Sequence, residues 1–148
     1  MKSNLFILLS ASLISSFFLF TSCAESGNSE TVETAVSDSK VYELRTYTTH
    51  EGKLDDLHER FENHTMAFFE EHGMTNIGYW TPEDPELRDN TLIYLLSHNS
   101  REAAEASWDA FRANPEWQEV YEASRADGPI VETVESIFMK STSYSQMK

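Results

Sequence analysis

A single α+β domain with its elements in the order β-α-β-β-α-β is the fold class that this 148-residue sequence predicts. Three observations carry the prediction. Several stretches are rich in β-branched and aromatic residues and alternate in character, two others space their apolar residues at helical intervals, and Gly, Pro and Asn punctuate the joins.

The elements follow in order. Residues 41–48 (VYELRTYT) alternate and read as a strand. Across residues 53–72, Leu54, Leu57, Phe61, Thr65 and Phe68 recur at helical spacing, and Gly73 supplies a left-handed stop. Residues 74–81 (MTNIGYWT) are a second strand, followed by an acidic loop over 82–90 that holds Pro82 and Pro85. Residues 91–98 (TLIYLLSH) carry the strongest strand signal. Asn99 with Glu102 three residues on fits a capping box, which starts a helix through Ala103, Ala104, Trp108 and Phe111. Asn114-Pro115 ends that helix and opens another, with Asn at the cap and Pro at the first helical position. The new helix carries Trp117, Val120 and Tyr121 and stops before Gly128-Pro129, and residues 130–140 (IVETVESIFMK) close the domain as a strand. This is the split βαβ order of ferredoxin-like folds.

The third strand adds a requirement. In a two-layer fold the helices cover one face of the sheet, so a strand needs apolar residues on that face only. Here Leu92, Tyr94 and Leu96 point one way while Ile93 and Leu95 point the other. Both faces need cover, and a symmetric homodimer with its two sheets facing each other supplies it.

Outside the domain, Lys2, an apolar run to Phe20 and then small residues have the layout of a secretory signal over residues 1–22. The run is about 16 residues with four serines, short of the roughly 20 apolar residues of a spanning helix. Leu19-Phe20-Thr21-Ser22-Cys23 resembles the lipobox of bacterial lipoproteins, although the box usually has an aliphatic residue where Phe20 stands. Acylation of Cys23 is therefore expected, which would make the chain a lipid-anchored membrane protein of the periplasm or outer membrane. The alternative is an ordinary secreted protein cut nearby. Residues 23–39, rich in Ser, Glu and Thr without an aromatic, bury too little surface to fold and read as a flexible tether. The foldable domain spans residues 40–145.

Composition narrows the function classes. With one cysteine the chain forms no internal disulfide, so packing has to hold the fold. A formal charge of −14, one unit more negative once Lys2 leaves with the leader, repels nucleic acid and anionic headgroups alike. Membrane attachment then depends on acyl chains. No Ser-His-Asp arrangement, phosphate loop or dinucleotide fingerprint is present.

Three stretches carry a family resemblance: Tyr42-Glu43-Leu44-Arg45-Thr46-Tyr47, the segment from Gly73 through Gly78-Tyr79-Trp80, and Trp108-Asp109-Ala110-Phe111-Arg112-Ala113-Asn114-Pro115-Glu116-Trp117. With the closing Ser141-Thr142-Ser143-Tyr144-Ser145, they resemble the NIPSNAP domain of the dimeric α/β barrel superfamily. The resemblance implies a ferredoxin-like protomer and a dimer, and it implies no defined reaction.

Candidate site residues come from both lines. His58-Glu59 lacks the second histidine one turn on, since position 62 is Glu62, and His64 is about 120° away around the helix, so no metal site is expected. Alternation puts Glu43, Arg45 and Tyr47 on one face of the first strand. There they are either solvated in a monomer or buried between the sheets of a dimer, as a register-setting ion pair or as a polar anchor for a ligand. Superfamily members often bind aromatic or haem-like molecules between sheet and helices. His64, Phe68, Tyr94, Trp108 and Phe111 would line that space here, or simply form an ordinary core. His64 would then be the axial ligand of a haem or a proton acceptor, although a partly exposed flank is the favoured place for it; otherwise no cofactor is expected. The functional expectation is a ligand-binding or protein-interaction module. A cofactor-free monooxygenase or isomerase acting on an aromatic or polyketide-like molecule is the alternative.

Overall fold

The computed structural model describes residues 40–148; the signal segment, the tether and Cys23 lie outside the described residues. Four strands form one antiparallel sheet: β1 (Val41–Thr49), β2 (Thr75–Trp80), β3 (Thr91–His98) and β4 (Val131–Lys140). They lie in the order β2-β3-β1-β4. With α1 (Leu54–Arg60) and α2 (Met66–Glu71) after β1, and α3 (Arg101–Ala113) and α4 (Pro115–Ala123) after β3, this is the ferredoxin-like α+β fold expected.

Alternation decides which residues lie beneath the helices. Leu92, Tyr94 and Leu96 of β3 are buried there, and their partners across the ladder are Tyr47, Arg45 and Glu43 of β1. The first-strand trio therefore sits under the helices, between sheet and α3. It is neither solvated nor on the face a second sheet would cover, which corrects both placements expected from sequence. The physical reason is that Trp108 of α3, together with His98 and Ser136 of the neighbouring strands, supplies polar partners for a buried charge. Leu44, Thr46, Ile93 and Leu95 take the opposite face, as do Ile137, half-exposed on β4, and Trp80. A register shift between Asn76 and Gly78 sets Tyr79 opposite Tyr94, where their rings stack at 5.4 Å, and turns Trp80 to the open face across Gly78.

One helix departs from regular geometry. Between α1 and α2, residues Phe61–Thr65 form a π-helical turn, and Thr65 Oγ1 donates to the Arg60 carbonyl at 3.1 Å. A π turn takes up one extra residue, or about 100° of helix rotation. In an unbroken α-helix Phe68 would fall nearly in line with Phe61. The extra residue brings Phe69 there instead, 1% exposed, and leaves Phe68 half-buried against Trp117 and His72. Gly73 then ends the segment at φ 77°, as expected of a left-handed stop.

The two later helices begin with side-chain caps. Ser100, rather than Asn99, accepts from the Ala103 amide, because the helix starts one residue later than the capping-box reading placed it. Asn114 caps α4 as expected, its Oδ1 accepting from the amides of Glu116 and Trp117 ahead of Pro115.

Candidate ligand-binding site

The polar centre of the domain is the carboxylate of Glu43, 1% exposed in the middle of the fold. Four donors from four elements satisfy it. Arg45 Nη1 (2.6 Å) and Ser136 Oγ of β4 (2.7 Å) donate to Oε1, while Trp108 Nε1 of α3 (2.7 Å) and His98 Nε2 of β3 (3.0 Å) reach Oε2. An ionised carboxylate only accepts, so His98 carries its proton on Nε2. Burial alone would raise the Glu43 pKa, but the bonds from His98, Ser136, Trp108 and Arg45 together outweigh it and hold the group at about 2.

That balance sets a pH dependence. A carboxyl group lowered from 4.5 to about 2 on folding adds stability that is fully present above pH 4.5 and is lost as the pH falls toward 2. Denaturant melts between pH 5 and pH 2 are expected to show that loss in the native chain. Glu43→Gln, which has no carboxyl group there to titrate, should show a shallower acid limb; matching limbs would mean that the carboxylate is not held this way.

Arg45 extends the polar row toward a cleft. Its guanidinium lies 4.3 Å from the Trp108 ring centroid, and its Nη2 donates to Tyr47 Oη at 3.3 Å. Burial would lower its pKa, but Tyr47, Tyr94 and Glu43 raise it above the ordinary arginine value. Beyond Tyr47 the helices and the β1–β4 half of the sheet enclose a cleft of about 550 Å³. Phe61, Phe69, Trp108, Phe111 and Trp117 supply its aromatic walls, and Arg45, Tyr47 and Arg60 its buried or half-buried polar groups. Val134 and Tyr121 are partly exposed at its rim.

Five of the six candidates from the sequence come together here. Glu43, Arg45, Tyr47 and Trp108 form one hydrogen-bonded row, and Tyr94 backs Tyr47 at a ring distance of 5.3 Å without lining the cleft. Tyr94 is fully buried and its Oη has no hydrogen-bond partner, so burial raises its pKa well above that of an ordinary phenol. His64 is exposed and lies apart, in a neighbouring acidic recess with Asp56, Glu59 and Glu119. No histidine lines the cleft among the described residues, so they offer no imidazole to ligate a haem there. Nor, among the described residues, does any group of three or more His, Cys, Asp or Glu side chains come together to hold a metal ion.

Sequence reasoning passed over His98, Ser136 and Arg60. His98 shares the alternation of Leu92, Tyr94 and Leu96, and Ser136 lies opposite Arg45 in the β1–β4 register, so strand parity was a usable signal for both. Arg60 stands three residues after Leu57 on the apolar side of its helix, where a charge is out of place.

Fold and site together define a ferredoxin-like α+β domain with an ion-paired, aromatic cleft between helices and sheet. Residues 42–146 match the NIPSNAP family, and the chain belongs to it. Three solved structures show the same fold. A NIPSNAP family protein of unknown function from Agrobacterium tumefaciens is 20% identical with TM-score 0.65, covering 75% of this chain and 96% of that one. An uncharacterised NIPSNAP-like domain protein from Burkholderia xenovorans is 20% identical with TM-score 0.63, covering 73% and 90%. A second Agrobacterium tumefaciens NIPSNAP protein is 16% identical with TM-score 0.64, covering 74% and 99%. No curated protein matches the chain.

Proposed function

We propose that this domain is a binding module that takes an aromatic or otherwise apolar small molecule into the cleft between helices and sheet. The observation that carries the reading is the cleft itself. Its volume of about 550 Å³ falls in the range of small-molecule sites, and aromatic walls around a few placed polar groups are their usual lining. Binding is favoured over acid-base turnover by the state of Glu43. A carboxylate has about four acceptor positions, and all are used by Arg45, Ser136, Trp108 and His98, which leaves none to take a substrate proton.

The same reading makes the protein a homodimer held on a membrane of the bacterial cell envelope. Support for the dimer is the open sheet face, where Leu44, Ile93, Ile137 and Trp80 lie with no helix of the described residues over them. Support for the anchor is Cys23 after its apolar leader, in a chain whose charge gives it no attraction to anionic lipid. No helix among the described residues is long and apolar enough to cross a membrane.

Native mass spectrometry of the full chain, released in mild detergent from its own membranes, tests these points together. The expected species is a dimer of acylated chains beginning at Cys23, with a small molecule released on activation. A ligand-free monomer with an unmodified thiol would contradict the reading throughout.

A further inference from the structure

Arg60 is the one buried charged residue of the cleft without an ion pair among the described residues. It is 5% exposed, and among the described residues no carboxylate lies within 4 Å of it. Its Nη1 donates to Ser124 Oγ at 3.2 Å, and its buried Nε has no partner among the described residues. The rings of Tyr121 and Trp117 flank the guanidinium at 5.3 and 5.9 Å. Burial lowers its pKa, the direction opposite to that of the carboxylate-paired Arg45. Buried guanidinium groups are ordinarily paired, because a desolvated charge without a counter-ion is costly.

The cleft's other charges do not remove the surplus. Arg45 is spent on Glu43 at 2.6 Å, Arg112 at the rim is paired with Asp109 at 2.6 Å, and Glu132 is exposed at the rim with no ion pair to Arg60. Arg60 lines both this aromatic cleft and the neighbouring acidic recess of Asp56, Glu59 and Glu119, and among the described residues it is ion-paired with no carboxylate of either, inside a chain that carries −14 overall. A general attraction for anions is therefore absent, and recognition of one has to come from this local group. The π-helical turn begins directly after Arg60 and places Phe61, Thr65 and Arg60 together on the cleft wall. Such turns are frequent at functional sites.

We infer that the occupant of the cleft is an aromatic monoanion, a carboxylic acid of one or two fused rings or its enolate equivalent, with its anionic oxygens on Arg60 and its rings against Trp108 and Trp117. Arg60 lines the cleft with the planar guanidinium that suits a carboxylate. The walls offer edge and face contacts to the ring. This inference rests on the cleft being a ligand site, and it adds the class of ligand.

The test is calorimetric titration of the full chain with 2-naphthoate and with 2-naphthamide, which share ring and shape and differ in charge. The native protein is expected to bind naphthoate roughly ten-fold or more tightly than the amide. Arg60→Met should erase that preference and leave amide binding in place, while Arg60→Lys keeps part of it. Because Arg60→Met removes an uncompensated buried charge, its unliganded melting temperature should equal or exceed that of the native chain, which separates loss of recognition from loss of fold. Equal affinity for acid and amide in the native protein would overturn the inference and leave the cleft reading standing. Binding of neither would overturn both. A marked fall in the melting temperature of unliganded Arg60→Met would show that Arg60 has a counter-ion at rest, and would overturn the inference too.

Discussion

Glu43→Ala is expected to destabilise the domain by about 3–5 kcal/mol, the cost of breaking a buried ion pair by removing one partner. The substitution strands Arg45 beneath α3 with its charge unanswered, and it takes the acceptor away from Ser136, Trp108 and His98 at the same time. In a domain of this size the melting temperature should fall by roughly 10–20 °C. Removing both members of the pair, as in Glu43→Leu with Arg45→Met, should recover much of that loss, since well-packed apolar replacements of a buried pair are often neutral or better. The cycle is read from chemical denaturation of the four proteins. A cost below about 1 kcal/mol for Glu43→Ala would place the pair among solvated ones and contradict the geometry.

Phe69→Ala carries the second large effect, also about 3–5 kcal/mol. Phe69 packs against four aromatic rings: Trp108 at 5.3 Å, Phe111 at 5.1 Å, and Phe61 and Tyr94 at 6.0 Å each. Truncation opens a cavity at the junction of sheet, first helix and α3. Phe68→Ala, at a half-buried position, should cost less than half as much. The contrast matters more than either value, because a regular α-helix through residues 61–65 would reverse it. Equal costs, or a larger one at Phe68, would show that the π-helical turn is absent.

Most strand and helix positions were legible because their ends are written in local chemistry. Gly73, the Asn114-Pro115 pair and the Gly128-Pro129 pair each stop or start an element through their own backbone preferences, whatever surrounds them. The shared face of Glu43, Arg45 and Tyr47 was legible from strand alternation for the same reason. The side of the sheet on which they lie was not. A charged pair on the helix-covered face runs against the usual segregation of polar residues, and only Trp108, His98 and Ser136 make it tolerable, the last of them 93 residues away in the chain. The shift from Phe68 to Phe69 was equally hidden, since one extra residue in a helical turn leaves composition and mean periodicity almost unchanged. His64, near the apolar stripe by ideal spacing, falls on the exposed side once the turn is widened, which agrees with the flank position favoured for it from sequence.

The cleft as a ligand site is tested most directly by the indole N–H resonances of the full chain in a two-dimensional ¹H–¹⁵N spectrum. The protein has three tryptophans; Trp108 and Trp117 line the cleft, while Trp80 lies on the open face of the sheet, 52% exposed. Each signal is assigned by its Trp→Phe variant. Titration with 2-naphthoate is expected to shift the Trp108 and Trp117 signals together, saturating at a common midpoint, and to leave Trp80 in place. A shift confined to Trp80, or no saturable shift at Trp108 and Trp117, would contradict binding in the cleft.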